Sequence, residues 1–174
     1  TTVKEMLAGV LRQRFGEAAV LATAGNFNNH IGLPLTLLKL TGAHRYAVIE
    51  MGMSHFGELA QLTQIARPDV ALVNNALRAH VGCGFDGVGD IAKAKSEIYQ
   101  GLNADGLALI PCEDANAAVF QTASKAFKQH TFGVGQGDIH AENIVLQPLS
   151  CAFDLVRGGE RAAVLLPVPG KHNI

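Results

Sequence analysis

Three residues could carry chemistry: Glu50, closing the apolar run RYAVIE; His80, closing the polar stretch NNALRAH; and Lys95, inside VGDIAKAKSEIYQGL. A carboxylate and an imidazole at neighbouring strand ends can bind a divalent metal, and a nucleotide site needs such a metal to bridge phosphate oxygens. Glu50 equally suits a helix cap or an arginine partner, and His80 taken alone is better read as a loop histidine with no role. Lys95 lies on the helical stripe Val88, Ile91, Ile98, Tyr99 and Leu102, whereas Lys93 lies off it. A buried ammonium is costly and loses its proton or finds a partner. Lys95 therefore snorkels to water, forms a buried ion pair, or reacts as a neutral amine with carbon dioxide. The last outcome gives a carbamate and turns a cation into a carboxylate-like metal ligand.

The elements that must position these groups alternate along the chain. AVLATA (19–24), RYAVIEMG (45–52), VALVNN (70–75) and GLALIP (106–111) read as strands, most of them apolar on both faces. Helices are expected at 33–40, 57–66, 88–102 and 114–127. This βαβα order implies a parallel sheet flanked by helices, with ligands bound outside the carboxyl ends of the strands. AGNFNNHIG, Glu50 and NNALRAH all fall at such ends. After His130 the helical signals stop. HTFGV, IHAENIVLQPL, CAFDLVRG and RAAVLLPV read as strands, and Gly158-Gly159 as a hairpin turn, so the last third is expected to form a small antiparallel sheet attached to the parallel one.

The chain opens on TTVKEMLAGVL. Val3, Met6, Leu7, Val10 and Leu11 mark one face of a helix, and Thr2 with Glu5 has capping-box spacing. Helix N-termini bind phosphate, and a glycine-rich loop ending in Lys-Thr-Thr commonly feeds one. Thr1 and Thr2 are thus expected to be the tail of a phosphate loop lying upstream.

Bulk properties exclude several classes. The 174 residues suit one domain, 48% of them are hydrophobic, and the formal net charge is −1 with Lys and Arg scattered. No nucleic-acid or anionic-membrane surface is expected. No apolar run reaches the ~18 residues of a membrane span. Cys83, Cys112 and Cys151 are too few and too spread for a disulfide framework or zinc site, and suit free thiols in a reducing cytoplasm.

Six stretches in order, TTVKEM, TAGNFNNHIGLPLTLLKL, YAVIEMGMSHFGEL, RPDVALVNNALRAH, IAKAKSEIYQGL and LPVPGKHNI, resemble the central ATPase domain of the Mur ligases. Within that family, GNFNNHIGLP and AKAKSEIY are most similar to the branch that adds D-alanyl-D-alanine to UDP-N-acetylmuramoyl-tripeptide in peptidoglycan synthesis. The resemblance implies a cytoplasmic, monomeric parent enzyme that uses ATP and Mg2+. ATP phosphorylates the terminal carboxylate of the peptide, and the dipeptide amine attacks the acyl phosphate.

The resemblance further implies that Thr1 ligates a first magnesium with Glu50, and that Thr2 follows on the same turn of the ATP site. It assigns His80 and a carbamylated Lys95 to a second magnesium, so Glu50, His80 and Lys95 are the expected catalytic set. Asn173 matches an adenine-contacting asparagine. Asn28 and Asn29 lie in the loop facing the muramoyl-peptide, with His55 and Glu58 as further substrate-side candidates. The phosphate-loop glycines and lysine, and the amino- and carboxy-terminal domains, are not in these 174 residues, so the chain alone is expected to lack ligase activity. VGCGFDG (81–87) departs from the Leu-Glu-Gly-Phe-Gly-like run of the family. Competing readings are another Mur-type or folylpolyglutamate-type amino-acid ligase, and a non-catalytic nucleotide-binding domain.

Overall fold

The structure, a computed structural model, describes residues 1–78 and 84–174. His80 and the first part of the departing loop, Val81 to Cys83, lie outside the described residues.

Helix α1 (Thr2–Phe15) leads into β1 (Val20–Ala22), α2 (Gly32–Leu37) and β2 (Tyr46–Val48). Helix α3 (Glu58–Ala66), β3 (Val70–Leu72) and α4 (Val88–Ser96) follow, and α4 continues as a 3-10 turn over Glu97–Gly101. After β4 (Leu107–Pro111) and α5 (Ala117–Ala123) come β5 (Lys128–Val134), β6 (Ile139–Leu146), β7 (Cys151–Arg157) and β8 (Glu160–Leu166). Strands β1 and β2 pair in parallel. Strands β3 to β8 form one sheet in chain order, parallel from β3 to β6 and antiparallel from β6 to β8. The expected α/β architecture is present, and the antiparallel strands β7 and β8 extend the parallel sheet at its β6 edge.

Parallel neighbours usually need a long crossover. Strands β5 and β6 manage with residues 135–138, because Gly135 and Gly137 take φ of +83° and +107°, a region open to glycine. Asp138 Oδ2 fixes the return by accepting from Thr131 N (2.7 Å) and Oγ1 (2.9 Å). The β7–β8 hairpin closes through Gly158 and Gly159, both with positive φ, as the sequence predicts.

The main core lies between sheet and helices, around the fully buried Tyr99, Phe120, Leu33, Leu62, Ile91 and Ile110. Helix α3 and the 97–101 turn approach almost backbone to backbone: a Cβ on Gly101 would stand 2.3 Å from the Thr63 carbonyl. Thr63 Oγ1 also donates to Ile98 O at 2.7 Å.

Helix α1 departs from its sequence reading. Val3, Leu7 and Val10 face outward, 41%, 47% and 64% exposed, while Lys4 and Ala8 face inward. The small Ala8 lets the helix settle on Ala19, Val20 and Val48, a close approach that a leucine stripe would prevent. The capping box does not form either. Thr1 rather than Thr2 holds the N-cap position, with no side-chain cap bond, and Glu5 pairs with Lys4 Nζ at 2.8 Å.

Candidate functional site

The first cluster forms where β1, β2 and the start of α1 converge. Thr1 Oγ1 donates to Glu50 Oε1 at 3.1 Å, and Asn28 Nδ2 donates to the same oxygen at 3.0 Å. The Glu50 main chain is fixed by its N–H donating to Thr23 Oγ1 at 2.9 Å. Its second oxygen, Oε2, is buried and has no hydrogen-bond partner. Lys4 Nζ at 3.7 Å and the Thr1 amino group at 3.6 Å stand at ion-pair distance from it. Lys4 is 6% exposed and spends its hydrogen bonds elsewhere, on Thr23 O (2.8 Å) and Gly25 O (3.4 Å). It thereby ties α1 to the turn after β1. A carboxylate oxygen held in place, buried and lacking a donor is a hard ligand suited to magnesium, and the Thr1 hydroxyl beside it adds a second oxygen.

Lys95 forms a second locus at the carboxyl end of β3. Its Nζ donates to Asn75 O at 2.8 Å. Burial pushes the ammonium below its ordinary pKa, and the Asp114 carboxylate partly opposes this. Asp114 also accepts from Ala76 N at 2.6 Å, so Lys95 and Asp114 grip the two polar ends of one peptide bond. Among the described residues no hydrogen bond joins Lys95 to the Glu50 cluster, and no three His, Cys, Asp or Glu side chains converge as a metal-binding group.

A cleft of about 520 Å³ runs beside Glu50, between the loop after β1 and the start of α3. Asn28, Asn29, Ser54, Glu58 and Gln61 are among the polar residues lining it. Asn29 uses its side-chain oxygen on the N–H groups of Ile31 (3.1 Å) and Gly32 (2.9 Å), at the first turn of α2. Glu58 folds back to accept from Ser54 N (2.5 Å) and His55 N (3.2 Å), and its other oxygen meets His55 Nδ1 at 3.2 Å. These bonds, the Ser54 N–H first, hold the Glu58 carboxyl below its ordinary pKa.

A group with a depressed pKa stabilises the fold above its unfolded pKa, and that contribution vanishes as pH falls through the folded one. Glu58→Gln is therefore expected to lower the melting temperature at neutral pH and to match the unsubstituted protein in acid. Thermal melts across that range check it; an equal deficit at every pH would contradict it.

Asn173 lies on a terminal 3-10 turn (Lys171–Asn173) and donates to Pro169 O at 2.7 Å. Among the described residues it makes no hydrogen bond to the Glu50 cluster. Thr2 is exposed on α1. The sequence reading passed over Lys4, Asp114 and Glu97. Lys4 carried a signal, a lysine one helical turn from Thr1. Asp114 and Glu97 had none beyond their charge.

Comparison with known proteins places this geometry in a family. The Mur ligase middle domain matches residues 1–174. UDP-N-acetylmuramoyl-tripeptide–D-alanyl-D-alanine ligases from Haemophilus influenzae and Escherichia coli are 40% and 41% identical over the whole chain. The chain spans about 38% of the length of each of these relatives. A crystal structure of MurF from Acinetobacter baumannii superposes with a TM-score of 0.93 at 40% identity, covering 99% of this chain and 37% of that one. MurF ligase from Thermotoga maritima in complex with ADP superposes at 0.79 with 27% identity, covering 94% of this chain and 37% of that one. On sequence and fold together, the chain belongs to the Mur ligase family, as its middle domain.

Proposed function

We propose that this domain is the ATP-handling part of an enzyme that joins D-alanyl-D-alanine to UDP-N-acetylmuramoyl-tripeptide, acting in the cytoplasm as a monomer. The observation that carries the reading is the Thr1–Glu50–Asn28 cluster, with a buried Glu50 oxygen that has no donor. Relatives of that name cover the chain from end to end, which supports the choice of substrates. Among the described residues no helix is long and apolar enough to cross a membrane.

Thr1 and Glu50 would hold a magnesium ion, with Thr2 on the same turn and Asn173 toward the base of the nucleotide. ATP would supply the phosphoryl group that activates the peptide carboxylate, and magnesium would neutralise charge gathering on the phosphates. Asn28 holds Glu50 on one side and borders the cleft on the other, so it links the metal site to the site for the peptide. Asn29, His55 and Glu58 shape the cleft wall through the turns they fix. Lys95, with His80, would serve the second magnesium near the acyl phosphate, as a carbamate formed on its amine. The lowered pKa of Lys95 favours the neutral amine that such a reaction needs.

The test uses the full-length protein that carries this domain. ADP release is followed with magnesium, ATP and UDP-N-acetylmuramoyl-tripeptide, with the dipeptide present or withheld. Release that requires D-alanyl-D-alanine is the expected result. Release that requires a single amino acid on a shorter peptide would move the protein to another branch, and no release would favour a binding domain.

A further inference from the structure

The N-terminus of α3 is capped by a residue from another element. Its N-cap position is Gly57, with φ +85° and no side chain to offer. Glu97, two residues after Lys95, fills that role. Both of its oxygens accept from Gly57 N at 2.9 Å, and Oε2 also accepts from Ala60 N at 3.3 Å. These are the N-cap and N3 amides, the pair that a capping box satisfies from within its own helix. A carboxylate there also faces the positive end of the α3 dipole.

The same two elements meet twice more, through the Thr63–Ile98 hydrogen bond and the tight Gly101–Thr63 approach. Lys95 and α3 are therefore mounted on one rigid unit. Helix α3 lends Glu58, Gln61 and Leu62 to the cleft. The turn before it is also seated: Phe56 meets the buried Phe85 ring edge-on at 5.1 Å between centroids.

We propose that Glu97 is a positioning residue that sets the α3 wall of the cleft relative to Lys95, and so governs capture of the UDP-linked peptide rather than of ATP. This rests on the ligase reading, in which the cleft receives the peptide arm. Glu97 touches no reacting atom; it acts through the amides at the start of α3. Without the carboxylate, two helix-end amides lose their acceptor and the wall is free to drift. A displacement of this kind, remote from the chemistry, costs substrate orientation.

The experiment compares the unsubstituted full-length enzyme with Glu97→Gln and Glu97→Ala. Gln keeps the size and one acceptor, but loses the charge and the second acceptor. The expected result for Gln is a rise of about tenfold in KM for UDP-N-acetylmuramoyl-tripeptide, the loss of one charge-assisted hydrogen bond, with KM for ATP unchanged. Hydrogen exchange at Gly57 and Ala60 should quicken while β4 amides stay protected. That second reading covers the case in which Ala folds poorly. Unchanged peptide KM, equal rises for peptide and ATP, or unaltered exchange at Gly57 and Ala60 would each overturn the proposal. Failure of the ligase reading shows differently: the unsubstituted enzyme would release no ADP in response to the dipeptide, while the exchange measurement would still decide whether Glu97 holds the wall.

Discussion

Replacing Lys95 with Ala in the full-length protein is expected to lower the ligation rate by about 10³-fold, the scale of losing one preorganised charged group in an active site. Arg at the same position should do no better. An arginine keeps the positive charge but cannot form a carbamate, so it separates the two ways in which a lysine could serve. The structure supplies the setting. Lys95 is partly buried, its amine is held by Asn75 O at 2.8 Å, and burial drives its ammonium toward the neutral form. A neutral amine adds to carbon dioxide through its nitrogen lone pair. The new N–C bond forms, one proton leaves the nitrogen, and the charge passes to two oxygens. The remaining N–H would still have Asn75 O to donate to, which would fix the plane of the new carboxylate. Growth with 13C-bicarbonate and carbon NMR should show a carbamate resonance that is lost with Ala and with Arg. An Arg variant of full activity would mean that the position needs only a cation, and the carbamate would fall.

Glu50→Gln is expected to cost about 10² to 10³ in kcat at saturating ATP, and to raise the magnesium concentration needed for half-maximal rate. Gln preserves the shape and an oxygen for Thr1 and Asn28 to donate to. What it removes is the anionic character of Oε2, the Glu50 oxygen that is buried without a donor. The amide nitrogen placed there would offer a donor where a cation needs an acceptor. Steady-state rates across a magnesium titration check this. A variant with normal kcat and normal magnesium dependence would show that Glu50 serves the fold alone, joining α1, the loop after β1 and β2.

The alternation of helices and strands was legible because it is a local pattern. Buried parallel strands such as β4 are short apolar runs, and Arg67-Pro68 stops α3 through a left-handed Arg67 (φ 48°). The orientation of α1 was not legible. Its apolar positions pointed to one face, yet the helix turns Lys4 and Ala8 inward, because close approach to β1 and β2 and two backbone acceptors for the ammonium outweigh a modest apolar stripe. Glu50 and Lys95 could be singled out as charges among apolar neighbours. Their partners could not. Asn75 O and Ala76 N are backbone groups, which carry no sequence signal, and Asp114 reaches the same peptide from beyond β4. Asn29 shows the same limit in reverse: it stands in a loop read as facing substrate, and its oxygen is spent on the first turn of α2.

The switch from parallel to antiparallel pairing at β6 divides the large sheet into a half built from distant contacts and a half built from local ones. Arg157 pairs with Glu160 across two glycines, and Ile139 with Arg157 inside one meander, so these contacts close small loops at little entropic cost. Val70 must find Leu107 across a helix, a 3-10 turn and a long loop, and Val20 must find Tyr46 across α2. Contact order therefore places the β6–β8 meander early in folding and the β1–β3 ends late. Glu50 and the Asn75 carbonyl sit at those late-closing ends. The site is therefore expected to be the last part of the domain to be built, closing on the strands that carry none of its side chains.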